Sequence, residues 1–132
     1  MDFVSIRIVT GDVARLVDFY ERATGVQASR SNQDFAEIRT ASASLAIAST
    51  RTVALFAPDA AGPSHNRSVI IEFLVDDVDG VHQNLTGFVE DFVNEPTTMP
   101  WGNRALLFRD PDGNLVNFFT PVSPAAIEKF AR

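Results

Sequence analysis

The sequence contains no cysteine, so disulfides, thiolate nucleophiles and cysteine-based zinc or iron–sulfur sites are excluded. It has one tryptophan and one tyrosine against eleven phenylalanines, so its aromatic rings are almost all non-polar. The excess of Lys and Arg that nucleic-acid binding requires is also missing, because the formal net charge is -6 and the pI is about 4.7. We therefore expect no nucleic-acid partner, and the acidity mildly favours a cationic ligand.

Long hydrophobic runs are absent too. No stretch approaches the roughly 20 apolar residues that a membrane-spanning helix needs. The first ten residues, MDFVSIRIVT, lack the basic segment and long apolar run of a secretory signal, so we expect a cytoplasmic protein with no membrane partner. The chain has 132 residues, of which 45% are hydrophobic and 21% are charged. This length and composition are typical of one globular domain with a substantial core.

Two segments of the chain share one pattern. Residues 4–9 alternate like a strand, and apolar residues at helical spacing follow from Asp12. Residues 69–75 repeat the alternation, and a second helical spacing follows from Asp77. Each aspartate is placed to cap the N-terminus of its helix, and Gly25 is placed to end the first helix in a left-handed conformation.

Three strand-like segments follow each predicted helix. In chain order the six segments are residues 26–31, 35–40, 45–48, 87–92, 103–109 and 115–120. The Asp-Pro-Asp-Gly-Asn run at 110–114 is a strong hairpin turn signal. The pattern predicts an α+β fold, in which two βαβββ modules form a curved mixed sheet around a cleft.

The module boundaries follow from composition. Residues 58–67, PDAAGPSHNR, lack periodicity and contain two prolines and a glycine, which is typical of a linker. We therefore expect a single domain over residues 1–132, with module 1 at about 1–57 and module 2 at about 68–122. The tail at 123–132 is predicted to form a C-terminal helix.

This duplicated pattern resembles the vicinal oxygen chelate superfamily, which contains glyoxalase I, extradiol dioxygenases, fosfomycin-resistance enzymes and bleomycin-resistance proteins. The residues that carry the resemblance are Gly-Asp-Val at 11–13, Phe-Tyr at 19–20, Gly25, Val-Asp-Asp-Val at 75–78, Pro-Trp-Gly at 100–102 and Phe-Arg-Asp-Pro-Asp-Gly-Asn at 108–114. Together they cover nearly the whole chain. They indicate the fold more than the function, because one scaffold hosts unrelated activities.

Metal-dependent members of the superfamily usually carry a histidine on the first strand of each half and a carboxylate near the end of each half. Aligned on the motifs above, these ligand positions fall, in chain order, on Ser5, on Ala46 or Ile47, on Ile70 and on Asn117. One amide oxygen without imidazole or carboxylate partners does not hold a divalent transition metal. The resemblance therefore implies the fold without the family's metal, and we expect no cofactor.

Strand alternation separates side chains under the helices from side chains that face the predicted cleft. An apolar, aromatic cavity with a few polar groups is typical of a small-molecule site. The residues expected to bind the ligand are Ser5, Arg7, Phe35, Glu37, Ile70, Glu72, Trp101, Arg104, Phe108, Asn117 and Phe119.

For some of these residues, a structural role is an alternative to ligand binding. Arg7 and Glu72 occupy equivalent places in the two halves, so they either anchor a ligand or pair with each other. Asn117 either hydrogen-bonds a ligand or bonds a neighbouring loop or a buried water. Trp101 either stacks on a flat ligand or anchors its own loop.

The function expected is a metal-independent small-molecule-binding protein, similar to the bleomycin-resistance type, that sequesters a planar aromatic or cationic drug or metabolite. An antibiotic-resistance role falls within this class. The alternative is a metal-dependent lyase, isomerase, dioxygenase or thiol transferase with displaced ligands such as Glu37 or Glu72; a metal-free enzyme is a third possibility. No catalytic residue is assigned, and His65 and His82 are expected to be surface or half-buried residues. Small relatives often pair, so the resemblance implies a homodimer.

Overall fold

The computed structural model describes residues 1–131. The chain divides into two compact units, unit 1 (Met1–Asn66) and unit 2, which begins at Arg67. Each unit contains one four-stranded mixed sheet with a helix packed against it. The fold is therefore α+β, with one βαβββ module in each unit, as the duplicated sequence pattern predicts.

Unit 1 has the strand order β1-β4-β3-β2, with β1 parallel to β4 and the other neighbours antiparallel. Helix α1 begins after Asp12, whose side chain accepts a hydrogen bond from the Arg15 amide at 3.1 Å, and ends at Gly25, which has a φ of 72°. The elements are β1 (Ser5–Thr10), α1 (Val13–Thr24), β2 (Ser29–Asn32), β3 (Phe35–Arg39), β4 (Ser44–Ser49) and α2 (Thr50–Ala54).

Unit 2 repeats this arrangement with the strand order β5-β8-β7-β6. Strand β5 is parallel to β8, and Asp77 caps α3 by accepting a hydrogen bond from the Gly80 amide at 3.2 Å. The elements are β5 (Ile70–Leu74), α3 (Val78–Leu85), β6 (Thr97–Thr98), β7 (Asn103–Arg109), β8 (Leu115–Pro121) and α4 (Pro124–Lys129). Helix α4 falls within the tail for which a terminal helix was predicted.

The two units have different cores. Unit 1 buries aliphatic residues such as Ile38 and Ile47, together with the edge-to-face ring pair of Phe19 and Tyr20, whose centroids are 5.4 Å apart. Unit 2 instead contains a series of edge-to-face rings, in which Phe118 lies 5.4 Å from Phe73 and 5.0 Å from Phe108, measured between ring centroids. Edge-to-face ring pairs add roughly 0.5–1.5 kcal/mol each beyond their buried area.

One predicted strand, at residues 87–92, is wrong. The amides of Phe88 and Val89 donate to the Leu85 carbonyl, so the chain leaves α3 in a turn. The side chain of Asn94 then bonds the β7 backbone, accepting from the Leu107 amide at 2.7 Å and donating to the Ala105 carbonyl at 3.3 Å. The Asn94 side chain thus occupies part of the edge of β7 that faces away from β8. Backbone pairing along that edge is limited to the two-residue β6 and to residues 91–93, which form an isolated bridge with Phe108.

Helix α2 was not predicted from the sequence. Strand β4 ends at Ser49, whose carbonyl accepts a hydrogen bond from the Thr52 hydroxyl at 2.8 Å. Two of the five residues of α2 are threonine and one is valine, so helix propensity is low and tertiary packing against β1 and β4 sustains the turn. Among residues 1–131, no helix combines the length and the apolar character needed to cross a membrane.

Candidate functional site

The strand register of unit 1 brings three residues into one row across the sheet. Ala46 of β4 is the partner of Arg7 on β1 and of Glu37 on β3. Ile47, the next residue of β4, is on the opposite face and fully buried. Ser5 lies two residues before Arg7 and shares its face. The family ligand position that the sequence assigned to either Ala46 or Ile47 therefore corresponds to Ala46. We name the surface formed by Ser5, Arg7, Glu37 and Ala46 the Arg7 face.

Arg7 contacts two aromatic rings. Its guanidinium carbon lies 5.3 Å from the Phe35 ring centroid and 5.9 Å from the Phe56 ring centroid. No carboxylate of the described residues 1–66 forms an ion pair with it, whereas Glu37 pairs with Arg39 at 3.2 Å. Cation–π contacts at exposed sites contribute about 0.5–1 kcal/mol, enough to orient the guanidinium plane. The pairing of Arg7 with Glu72 stays a prediction.

The equivalent row of unit 2 has different chemistry. Asn117 of β8 is the partner of Glu72 on β5 and of Leu107 on β7. The Asn117 Nδ2 donates to Glu72 Oε2 at 2.8 Å, while Asn117 Oδ1 is buried without a hydrogen-bond partner in the described chain. A structural partner for Asn117 is thus a carboxylate on the adjacent strand rather than a loop. We name this surface the Glu72 face.

Apolar side chains surround this carboxylate–amide pair. Ile70, two residues before Glu72, is 46% exposed, and Leu74, Leu107 and Leu115 on the same face are half-buried. Phe119 shares this face, as expected, but is only 7% exposed. Its ring lies 5.0 Å from the Phe130 ring, at the end of α4.

Arg104 and Phe108 lie on the other face of the unit 2 sheet. In β7 they alternate with Leu107, the residue that pairs with Asn117, so neither side chain shares the Glu72 face. Phe108 is fully buried against Phe118, and Arg104 binds Asp79 of α3 with its Nε and Nη2 at 2.8 and 2.9 Å. The prediction that these two residues face the same side as Asn117 is therefore wrong.

The Asp79–Arg104 pair ties α3 to β7. The hydrogen bonds from Arg104 hold the pKa of Asp79 below its ordinary value, and the same bonds raise the pKa of Arg104. Unit 1 has a comparable pair, in which hydrogen bonds first from Arg51 and then from Ser49 lower the pKa of Asp34. Both pairs join elements of one unit and lie outside the two named faces.

Trp101 lies in the turn at 99–102, between β6 and β7, and is 68% exposed. Gly102 is required there, because its φ is 95° and an added Cβ would collide with the Ser123 side chain at the start of α4. High exposure of the indole does not favour the loop-anchor interpretation. His65 is exposed, and half-buried His82 packs edge-to-face on Phe92 at 5.2 Å, as structural residues would.

Sequence reasoning missed two aromatic residues next to the named faces. Phe56 follows α2 and contacts Arg7 of β1, and Phe130 follows α4 and contacts Phe119 of β8. Neither lies in a periodic strand pattern, so alternation gave no signal for them. Their contacts depend on where two short helices end, which only the tertiary structure determines.

The residues at the family's ligand positions do not fit a metal ion. Unit 1 supplies only the Ser5 hydroxyl, because Ala46 has no donor atom; unit 2 supplies only the Asn117 amide, because Ile70 has none. A tight site for Zn²⁺, Ni²⁺ or Fe²⁺ needs several imidazole or carboxylate ligands. Within residues 1–131, no group of three or more His, Asp or Glu side chains is placed to bind a metal.

Solved structures with a similar fold come from several bacteria. A glyoxalase/bleomycin resistance protein/dioxygenase from Nocardioides is 22% identical, with a TM-score of 0.75 over 94% of this chain and 85% of its own. A family enzyme of the same description from Burkholderia phytofirmans PsJN is 16% identical, with a TM-score of 0.82 over 92% of this chain and 100% of its own. A glyoxalase-related enzyme from Fulvimarina pelagi is 16% identical, with a TM-score of 0.76 over 91% and 88%. At these identities the likeness shows the fold alone.

No curated protein matches the sequence. A family model does match, over residues 2–118, which is most of the chain and includes all four ligand positions. The chain belongs to the Glyoxalase/Bleomycin resistance protein/Dioxygenase superfamily.

Proposed function

We propose that this protein binds a small organic molecule without a metal ion and sequesters it, as a drug-resistance or metabolite-binding protein. The observation that carries the proposal is the set of residues at the four family ligand positions, Ser5, Ala46, Ile70 and Asn117. Two of the four have no donor atom, and the other two offer a hydroxyl and an amide. Such a set leaves the family scaffold without its usual metal chemistry.

The surfaces at these positions support binding of an organic ligand. Each named face places a charged side chain beside apolar or aromatic neighbours, Arg7 beside Phe35 and Glu72 beside Ile70. Apolar surface with a few polar groups is typical of small-molecule sites. We propose a planar aromatic or cationic drug or metabolite as the ligand, with the exposed Trp101 available for stacking.

The enzyme alternative has no specific support in the described chain. Glu37 is paired with Arg39, and Glu72 is hydrogen-bonded to Asn117. The sequence shows no glycine-rich phosphate loop and no motif for an activated nucleophile. The family resemblance and the acidic, cysteine-free composition are the grounds on which we propose a cytoplasmic homodimer.

Metal content is the first test. Tag-free protein is incubated with Ni²⁺, Zn²⁺, Mn²⁺ or Fe²⁺, desalted and analysed for bound elements. We expect near-zero stoichiometry for every metal, because the ligand positions lack imidazole and carboxylate groups. About one tightly bound ion per chain would overturn metal independence and redirect the work to glyoxalase and dioxygenase assays.

Ligand binding is the second test. Flat aromatic compounds, cationic and neutral, are screened by thermal shift and by quenching of Trp101 fluorescence. We expect at least one class to raise the melting temperature, by an amount that grows with the logarithm of its concentration above the Kd. Trp101→Phe serves as the matched control, because it removes the optical signal and should leave the thermal shift of a ligand that does not stack on Trp101. A screen without any binder would contradict the binding function.

A further inference from the structure

We infer that the Glu72 face binds an organic ammonium group carried on an apolar body. The inference rests on the proposed small-molecule function and specifies the chemical class of the ligand for one face. It is carried by three features of unit 2: a carboxylate without a cationic partner, a second acceptor without a donor, and an apolar surround.

The Glu72 carboxylate has no cation of its own within the described residues 67–131. Its hydrogen bond comes from the neutral Asn117 amide at 2.8 Å. Two arginines of β7 have other partners in unit 2. Arg104 binds Asp79. Arg109, which shares the Glu72 face, donates to the Gly113 carbonyl at 3.1 Å and lies 3.9 Å from the Asp91 carboxylate. Within unit 2 the carboxylate is therefore hydrogen-bonded but not neutralised by a cation.

Asn117 adds a second unused acceptor. Its Nδ2 is directed to Glu72, which leaves Oδ1 buried and without a donor in the described chain. An unsatisfied buried oxygen costs about 1–3 kcal/mol, so a ligand N–H or a bound water gains by reaching it. A primary ammonium has three donors and no acceptor, and thus complements a pair that offers mainly acceptor oxygens.

The apolar surround selects the rest of the ligand. Ile70 is nearly half exposed, Leu107 lies opposite Asn117 on β7, and Leu115 lies two residues before Asn117 on β8. Burying apolar ligand surface there contributes about 25 cal/mol per Å². It also displaces water from the carboxylate, which strengthens the attraction between opposite charges. An anion would be repelled, and a neutral alcohol would lack the charge-assisted hydrogen bond.

The test is a titration of the ¹⁵N-labelled full chain with four small probes: benzylammonium, benzyltrimethylammonium, benzyl alcohol and benzoate. The reporter is the Asn117 side-chain amide signal, assigned by its loss in Asn117→Ala. We expect benzylammonium to shift this signal and the β5 and β8 backbone amides, and benzoate not to shift them. Benzyltrimethylammonium has charge but no N–H donor, so it should bind more weakly than benzylammonium.

Glu72→Gln is the decisive variant, because glutamine keeps an oxygen for the Asn117 amide while removing the charge. We expect its affinity for benzylammonium to fall about tenfold, as is typical when a charge-assisted hydrogen bond is lost. Glu90→Gln is the matched control, since it makes the same charge change at an exposed position outside the sheet. It should leave the affinity unchanged.

Each outcome is informative even where a variant fails to fold, because the four probes are compared on the unaltered chain. Equal shifts by benzyl alcohol and benzylammonium, or equal affinity in Glu72→Gln, would overturn the inference. Absence of benzylammonium binding, with neutral aromatic compounds still binding elsewhere, would also overturn it and leave the proposed function standing. Absence of binding by every probe and every screened compound would count against both.

Discussion

Units 1 and 2 have the same strand order and opposite chemistry at equivalent positions. The row Arg7–Ala46–Glu37 in unit 1 corresponds to the row Glu72–Asn117–Leu107 in unit 2. A cation held by aromatic rings in one unit is matched by a carboxylate held by an amide in the other. Backbone pairing determines the positions of these side chains, whereas the residue types at those positions differ between the two units.

The same comparison extends to the cores. Ile47 and Phe118 each follow the central residue of their row, so they are equivalent positions on the buried face. Ile47 packs in an aliphatic layer, whereas Phe118 contacts the rings of Phe73 and Phe108. Unit 2 also has only a two-residue fourth strand, so the two units differ in their strand lengths as well as in their cores.

The largest expected effect comes from truncating these two core residues. Phe118→Ala should lower the free energy of unfolding by about 3–5 kcal/mol and Ile47→Ala by about 2–5 kcal/mol, because each leaves a cavity in a fully buried site. We expect the phenylalanine variant to be the less stable of the two, since it also breaks two ring contacts. Urea denaturation at pH 7 measures both.

The control for this pair is Val93→Ala, at a position that is 53% exposed. It should change stability by no more than about 0.5 kcal/mol. If Ile47→Ala proved as destabilising as Phe118→Ala or more so, the ring cluster would not be the stronger of the two cores.

The second largest effect on stability is expected in the row Glu72–Asn117–Leu107 of unit 2. Asn117→Asp replaces the amide donor by a second carboxylate beside Glu72, so it breaks a hydrogen bond and adds like-charge repulsion. At pH 7 we expect a loss of about 1–3 kcal/mol. The double variant Glu72→Gln/Asn117→Asp exchanges donor and acceptor, and should recover most of this loss.

The stability loss of Asn117→Asp should depend on pH, because the two adjacent carboxylates repel each other only when both are ionised. Repulsion raises the folded-state pKa of the carboxylate pair above the unfolded value of about 4. The penalty should therefore be absent below pH 4 and grow as the pH rises through the raised pKa. Urea midpoints at several pH values test this. A penalty independent of pH, or no recovery in the double variant, would show that charge repulsion is not the cause.

How much of the fold and of the site could be predicted from the sequence depended on how far apart along the chain the interacting residues lie. Alternation along single strands placed Ser5, Arg7, Glu72 and Asn117 on their faces, because that periodicity is local. It failed for Phe108, since alternation defines two sets of residues in β7 without showing which set pairs with the Asn117 side. That choice depends on the β7–β8 register across the 110–114 turn.

Long-range side-chain contacts were not predictable at all. Nothing in the sequence around residues 87–92 showed that the Asn94 side chain would bond the β7 backbone in place of a strand. The contact of Phe56 with Arg7 likewise depends on α2, a single turn of low intrinsic helix propensity. Tertiary packing decided both, and it overrode the local preference in each case.

The smallest expected effect compares one ion pair from each unit, Asp34–Arg51 and Asp79–Arg104. Both aspartates have a pKa below the ordinary value, chiefly because of hydrogen bonds from the arginine. A depressed folded-state pKa contributes stability above the unfolded value of about 3.9, and that stability is lost as the pH falls through the folded value. Asp34→Asn and Asp79→Asn should each lower the melting temperature slightly at pH 7, and the difference from the unaltered chain should vanish in acid.

The two ion pairs should differ in how strongly salt reduces their contribution to stability. Asp79 is held by two bonds from Arg104 and so depends on charge attraction, which is largely screened at 1 M salt, where the Debye length is about 3 Å. Asp34 also accepts from the neutral Ser49 hydroxyl at 2.8 Å, a bond that salt hardly weakens. Alanine removes both the charge and the acceptor for Ser49, so raising NaCl should shrink the effect of Asp79→Ala more than that of Asp34→Ala in thermal melts at pH 7. An equal loss of effect in both variants would mean that the serine bond contributes nothing to Asp34, and that the two units stabilise their helices in the same way.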